Sequence, residues 1–507
     1  MKLTGLYRRW RHAPAARAIL PLLSALIVGV YPAFYYYTNN AALVRFSSFG
    51  RLLPFYALLV LMLYGVSLLV NRGDSVRAAT ATMVFTLFFN TYGIVYGFIM
   101  ELDLVRVEHY TLLPAYIFLG LYSGWLVTRF RKETSFSLWA IVAVVFTLLT
   151  LVSIARILPH EIDKYRLSHT PAQVSVNVKV ETGTGPDIYY LVFDEFSGLQ
   201  TMRDYWKNPK VDLFQQQLED MGFTFLEESR SSDIWSIHQI ATRLNSFDYE
   251  YVPGHEEKWL NSIANNSAMT YVEARGYTTV MFEEFSWFFP TMPEIRADHI
   301  YDISMFETLV TRTLYDDFGM LVMDATMLYP VLHTGRPIYM KYEPLRNFIQ
   351  YAIEQVPHLE EVSSPKFVYL HLLMPHQPYL YNAEGQPIDP EFYTNWDYYI
   401  EYYDYAMTVI TDMVARIQAQ ADPANPPVII LQSDHGARVR PNNRWLRDFP
   451  EEYQRDILFA LHMPGFDASQ LPQDLDPINT LPVVFNHLFD AGIPLQPSTM
   501  DGAGGSD

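Results

Sequence analysis

The chain has 507 residues, half of them apolar and only 18% charged, with a net charge of −19. That length allows two or three domains, and that apolar balance points to membrane spans ahead of an ordinary soluble chain. The absence of cysteine excludes disulfides, thiolate metal sites and a cysteine nucleophile, and the acidic total speaks against a nucleic-acid partner, whose phosphates need Lys and Arg.

The charge is unevenly spread. Residues 1–160 hold 14 Lys and Arg against 5 Asp and Glu; the rest holds 22 against 50. Five apolar stretches, at about 18–38, 52–71, 78–100, 112–129 and 137–157, each approach the ~20 residues that cross a hydrocarbon core. The first lacks a small-residue cleavage site and is followed by further spans, so it reads as retained. Tyr35, Tyr36, Tyr37 and Trp125 sit near span ends, as interfacial aromatics do. Lys2, Arg8, Arg9, Arg11 and Arg17 precede the first span, Arg72 and Arg77 lie in the second loop, and Arg129, Arg131 and Lys132 in the fourth. The intervening loops carry Arg45 and Arg51, then a single Arg106 among Glu101, Asp103 and Glu108. The positive-inside rule therefore puts the N-terminus in the cytoplasm, and five spans put everything after residue 160 on the periplasmic or extracellular side of a plasma or inner membrane. The expected organisation is a transmembrane anchor of five helices over 1–160 and a polar linker over 161–186.

Beyond the linker, four apolar, aromatic-rich runs recur: 188–194, 277–284, 366–376 and 426–436. Continuous runs of this kind fit strands buried on both faces of a parallel sheet. Helical patterns at 211–221, 256–275, 341–356 and 393–419 fall between them, which predicts an α/β sandwich. The stretch 314–334 is apolar but holds Asp316, Asp317 and Asp324, so it reads as a surface or membrane-proximal helical segment, not a sixth span. The last ten residues, 498–507, read as a disordered tail.

In open α/β sheets, ligands bind beyond the carboxyl ends of the strands. Asp194, His376, Asp434 and His435 all fall at or just after such ends. Asp434 and His435, in QSDHGAR, are a carboxylate and an imidazole placed to reach one divalent cation, and the glycine lets the chain turn tightly away. Asp194 ends the first strand as a further oxygen ligand, with Glu195 its rival; either could instead cap the next helix. His376, held between Pro375 and Pro378, suits an anionic oxygen or a leaving group, while His371 reads as a core histidine. Ser236 stands at the start of a helical stretch, where backbone N–H groups favour an anion, and is the candidate nucleophile. A plain helix cap is the competing reading for it, and Ser231, Ser232 and Thr242 are rivals.

Taken together, the stretches PDIYYLVFDEF, TRLNS, FVYLHLLMPHQPYLYNAEG, VIILQSDHGAR and INTLPVVFNHLF resemble the alkaline phosphatase/sulfatase superfamily, in particular its membrane-anchored branch of lipoteichoic acid synthases and phosphoethanolamine transferases. The resemblance implies an alkaline-phosphatase-like α/β domain over 187–497, with a mainly parallel sheet between helices. It implies one divalent metal ion (Zn, Mn or Ca) on Asp194, Ser236, Asp434 and His435, with Ser236 as nucleophile and His376 in the substrate pocket. It also implies transfer or hydrolysis of phosphate or sulfate esters, with a lipid head group or an envelope glycan as substrate. The chain departs from the family in four ways. Ser236 stands where the membrane branch usually has Thr, Asp194-Glu195 stands where many relatives have Asp-Gly or Glu-Ser, Ser232-Asp233 replaces an Asn-Tyr, and the Cys/Ser-x-Pro-x-Arg sulfatase signature is missing. The last departure favours phosphoryl chemistry; the others leave a catalytically degenerate envelope-binding protein as the alternative.

Overall fold

The computed structural model describes residues 14–41, 44–102, 107–168, 184–246, 256–289, 293–333, 336–438 and 449–496. The basic positions before residue 12, most of the 161–186 linker and the 498–507 tail lie outside them. The chain divides into two compact units: Met1–Arg166 with Glu307–Tyr342, and Leu167–Phe306 with Glu343–Asp507. The stretch expected as one continuous domain over 187–497 is thus interrupted by 36 residues that cluster with the N-terminal helices.

The first unit is helical: α1 (Pro14–Asn40), α2 (Phe46–Val70), α3 (Ser75–Phe89), α4 (Tyr92–Glu101), α5 (His109–Thr128) and α6 (Lys132–Ser168). Among the described residues, five stretches are long and apolar enough to cross a membrane, with α3 and α4 together forming the third, Ser75–Glu101. The sequence predicts that third span as one helix; the structure breaks it after Phe89. The break has a clear cause, because two backbone groups there turn to another part of the chain. Met327 N–H donates to Phe89 O (2.9 Å) and Gly93 N–H to Ala325 O (3.0 Å). A Cβ on residue 93 would stand 1.7 Å from Asp324 O, so only glycine allows this approach. Nearby, Asp316 caps the short helix Asp317–Met323 by accepting from Gly319 N–H at 2.6 Å. The apolar side of that helix, Phe318, Val322 and Met323, packs with Ala33, Tyr37, Phe49 and Leu52.

The second unit is an α/β sandwich, as the sequence predicts. Its strands are β1 (Ile188–Phe193), β2 (Thr224–Phe225), β3 (Thr278–Glu283), β4 (His299–Asp302), β5 (Lys366–Leu372), β6 (Val428–Ser433) and β7 (Phe459–His462), in the order β2-β7-β6-β1-β5-β3-β4. The five strands from β6 to β4 are parallel; β7 and β2 add an antiparallel edge. The four apolar runs read from sequence are β1, β3, β5 and β6. Ile188, Tyr190 and Val192 of β1 join one core cluster with β5, β6, α8 (Ser236–Leu244) and the C-terminal helix Thr480–Phe489. The alternate residues Tyr189, Leu191 and Phe193 are buried as well. Burial on both faces explains why these strands read as unbroken apolar runs. On the other side lie α7 (Val211–Asp220), α9 (Glu343–Gln355) and α10 (Tyr399–Gln420); Phe196, just past β1, meets Phe214 of α7 and Tyr403 of α10 ring to ring.

Candidate functional site

Sheet register sets the site. Phe193 at the end of β1 pairs with Leu372 of β5 and with Ser433 of β6. The next residues, Asp194 and Asp434, therefore leave neighbouring parallel strands at the same level, both buried. Asp194 N–H donates to Leu372 O (2.9 Å), which extends the ladder by one step and fixes the carboxylate. Asp434 Oδ1 accepts from Glu195 N–H (3.0 Å) and from His435 N–H (2.8 Å). Glu195 reaches that position with φ +61°, in the left-handed region. For a residue with a Cβ this costs on the order of 1–3 kcal/mol and is held by its surroundings; Glu195 Oε1 also accepts from Arg438 N–H at 2.7 Å. Gly436 is required by close packing, since a Cβ there would lie 2.5 Å from Tyr453 O.

His435 Nδ1 donates to Gly436 O at 2.7 Å. Burial holds its pKa below the usual value, against the pull of Asp434, so the ring is neutral and Nε2 carries a lone pair. Nε2 faces Ser236 Oγ at 3.2 Å, Asp434 Oδ2 at 3.4 Å and Asp194 Oδ1 at 3.9 Å. Those two carboxylate oxygens are buried and have no hydrogen-bond partner. Burial and the facing Asp434 push the Asp194 carboxyl well above the ordinary range. Two orphaned carboxylate oxygens and one imidazole lone pair, all within 4.8 Å of one another, are a donor set that fits a divalent cation.

Ser236 is the first residue of α8, with Trp235 in the capping position and no side-chain cap bond. Its hydroxyl faces His435, and it is not the cap itself. Among its rivals, Ser232 Oγ accepts from Gln239 (2.7 Å) and Thr242 Oγ1 donates to His238 O (2.7 Å); Ser231 is buried. His376 follows β5, its N–H donating to Asp194 O at 3.1 Å. Its Nδ1 donates to Gln377 O, and its Nε2 accepts from the Arg438 guanidinium at 2.7 Å. Asp194, Ser236, Asp434 and His435 thus meet in one place, and backbone and guanidinium contacts tie His376 to it.

Three further residues complete the surroundings. His371, read from sequence as a core histidine, is buried, but its Nε2 stands 3.8 Å from Asp194 Oδ2 while its Nδ1 bonds Glu284 Oε1 at 2.6 Å. Glu284, one residue past β3, is pushed up by burial against the opposing pull of His371. It ends an apolar run in an acid, as Asp194 does, and that was its sequence signal. Arg243 on α8 donates to Ser433 O and to Asp434 O, both at 2.7 Å, gripping the end of β6 from below. Arg438 lies three residues after His435, inside the motif already singled out.

Residues 234–460 match the family model for Sulfatase. No curated protein matches the chain. Several solved structures are similar to it. The C-terminal periplasmic domain of EcEptC from Escherichia coli is 16% identical, with 67% of this chain and 92% of that one covered and a TM-score of 0.39. The integral membrane lipooligosaccharide phosphoethanolamine transferase A (EptA) from Neisseria meningitidis is 14% identical, with 86% and 88% covered and a TM-score of 0.36. The lipoteichoic acid synthase LtaP from Listeria monocytogenes is 15% identical, with 67% and 79% covered and a TM-score of 0.40.

Proposed function

We propose that this chain, whose residues 234–460 match the Sulfatase family model, is a membrane-anchored, metal-dependent enzyme of that family that transfers or hydrolyses phosphate esters through a covalent bond to Ser236. The observation that carries the reading is the pair of orphaned oxygens on Asp194 and Asp434, set beside the His435 lone pair and the Ser236 hydroxyl.

A divalent cation (Zn, Mn or Ca) held by Asp194, Asp434, His435 and Ser236 would supply Lewis-acid polarisation and lower the pKa of a bound hydroxyl. The residues themselves do the positioning. Ser236 Oγ releases its proton to solvent and attacks phosphorus; the Oγ–P bond forms as the bond to the ester oxygen breaks, and the departing oxygen takes a proton back from solvent. The start of the nine-residue α8 and the Arg438 guanidinium beside His376 present positive charge to the non-bridging oxygens. Water or an acceptor hydroxyl then displaces Ser236 Oγ from phosphorus and returns its proton. The missing Cys/Ser-x-Pro-x-Arg signature favours phosphate over sulfate. Five candidate spans among the described residues and the Lys/Arg bias support a site outside the cytoplasm at a membrane, with a lipid head group or an envelope glycan as the substrate class.

The test is metal analysis together with trapping. The purified chain is expected to retain about one equivalent of a divalent metal and to give a phosphorylated Ser236 peptide by mass spectrometry when quenched with a phosphate ester. Ser236→Ala should keep the metal and lose at least ~10³-fold in turnover. A metal-free wild type without turnover would leave a binding protein in place of an enzyme, and full activity in Ser236→Ala would overturn the covalent bond to Ser236.

A further inference from the structure

Residues 307–342 lie inside the sequence of the sheet-containing unit yet pack with the helices. Every helix end they meet is on one face. Phe318, Val322, Met323 and Leu332 join the later part of α1, the start of α2 and Ile157 near the end of α6. Met327, Leu328 and Tyr329 join Phe89 and the start of α5. Arg51, early in α2, donates to Arg312 O (3.1 Å) and pairs with Asp316 (3.4 Å).

Depth follows from helix rise. Phe89 lies fourteen residues after Ser75, which opens α3. At ~1.5 Å per residue that is about 21 Å along a ~30 Å hydrocarbon core. The Met327 N–H that bonds Phe89 O is therefore below the bilayer surface, if the third span crosses. Non-helical backbone persists at such depth only when protein covers it, and Ala325, Thr326 and Met327 are all buried. The outward positions are unlike those elsewhere in the chain after Arg166. Among the described residues there, nine large apolar side chains are exposed, and four of them, Leu309, Val310, Leu321 and Val331, belong to this segment. It carries three basic and four acidic residues, so charge attraction to anionic lipid does not account for its placement.

We propose that residues 307–333 are a membrane-inserted element whose Leu309, Val310, Leu321 and Val331 side chains sit among the lipid chains of the leaflet where α1 ends. The inference rests on the reading of the five helices as membrane spans and is independent of the chemistry assigned to Ser236. Aliphatic side chains moved from water into hydrocarbon gain free energy in proportion to the apolar area buried, and continuity with the lipid-facing helices makes a bilayer the occupant.

The chain has no cysteine, so single nitroxide labels can be placed without a background substitution. Leu309→Cys and Val331→Cys are labelled in the full chain in phosphatidylcholine vesicles, with and without phosphatidylglycerol. Val144→Cys on α6 is the span control, and Leu213→Cys on α7, equally exposed at 58%, the aqueous one. The ratio of oxygen to nickel-chelate collision rates is expected to be several-fold higher at 309 and 331 than at 213, in both lipid mixtures. Ratios at 309 and 331 equal to that at 213, with 144 lipid-like, overturn the inserted element and leave the anchor standing. A nickel-accessible 144 overturns both.

Discussion

Arg243 is enclosed almost completely, and its guanidinium spends its hydrogens on the carbonyls of Ser433 and Asp434 and on the amide oxygens of Gln432 and Gln239. Arg243→Met would remove the donor from all four buried acceptors, of which Gln432 Oε1 keeps its bond from the Tyr190 hydroxyl, at a cost of ~3 kcal/mol or more. It should also release the Asp434 backbone and weaken metal binding by ~10-fold or more, the usual scale for a group that orients a ligand; thermal unfolding and metal titration check the two effects. A second residue gives a pH signature away from the site. His462, at the end of β7, has its pKa lowered by burial below the 6.5 of a free imidazole, despite its bond to Pro427 O. As pH falls through that value the unfolded chain takes up the proton first, so the stabilisation is full above it and is lost as pH drops toward the folded value. His462→Gln should shrink the loss of denaturant midpoint between about pH 7.5 and about pH 5.5. The site was legible where one residue type at one strand end sufficed: Asp194, Asp434 and His435. Arg243, Arg438 and Glu284 were not singled out, and His371 was read only as a core histidine, because their placement depends on which strands become neighbours.

Elements followed the same division. β1, β3, β5 and β6 declare themselves because helices cover both faces of the sheet. β2, β4 and β7 are two to four residues long at or near the sheet's edges and carry too few positions for a pattern. The helical pattern over 256–275 is two helices, split where Asn266 caps the second by accepting from Met269 N–H. The break in the third span was illegible, since nothing in the local pattern reveals that a distant strand of chain will take over two backbone hydrogen bonds. Gly93→Val should block that approach, and the expected outcome is faster tryptic cleavage at Arg312 with a lower unfolding temperature. Asp316→Ala removes a helix cap, the Arg51 pairing and a bond with Ser48, so a loss of about 1 kcal/mol is expected, without the gain in cleavage.

For the whole molecule, the division into units makes a prediction about dissection. A fragment starting at residue 184 carries the 307–342 segment without the helices that cover it. Phe318, Val322, Met323 and Leu332 would then face water, and such a patch drives self-association. The same fragment with 307–342 replaced by a short Gly/Ser linker should be markedly more soluble and less prone to oligomerise; size-exclusion chromatography of the two compares them. Composition and charge asymmetry made the apolar helical part and the acidic sheet-containing part legible. They could not assign 307–342, whose acids read as solvent-facing although its apolar side serves the other unit.

The two backbone bonds at Phe89 and Gly93 also impose an order on biosynthesis. A ribosome finishes all five spans long before it reaches Ala325 and Met327. Until roughly two-thirds of the chain has emerged, the notch in the third span has no strand to fill it, and an open carbonyl and amide in lipid cost several kcal/mol each. Completion of the bundle is thereby timed to the arrival of a segment from within the sheet-containing half of the protein.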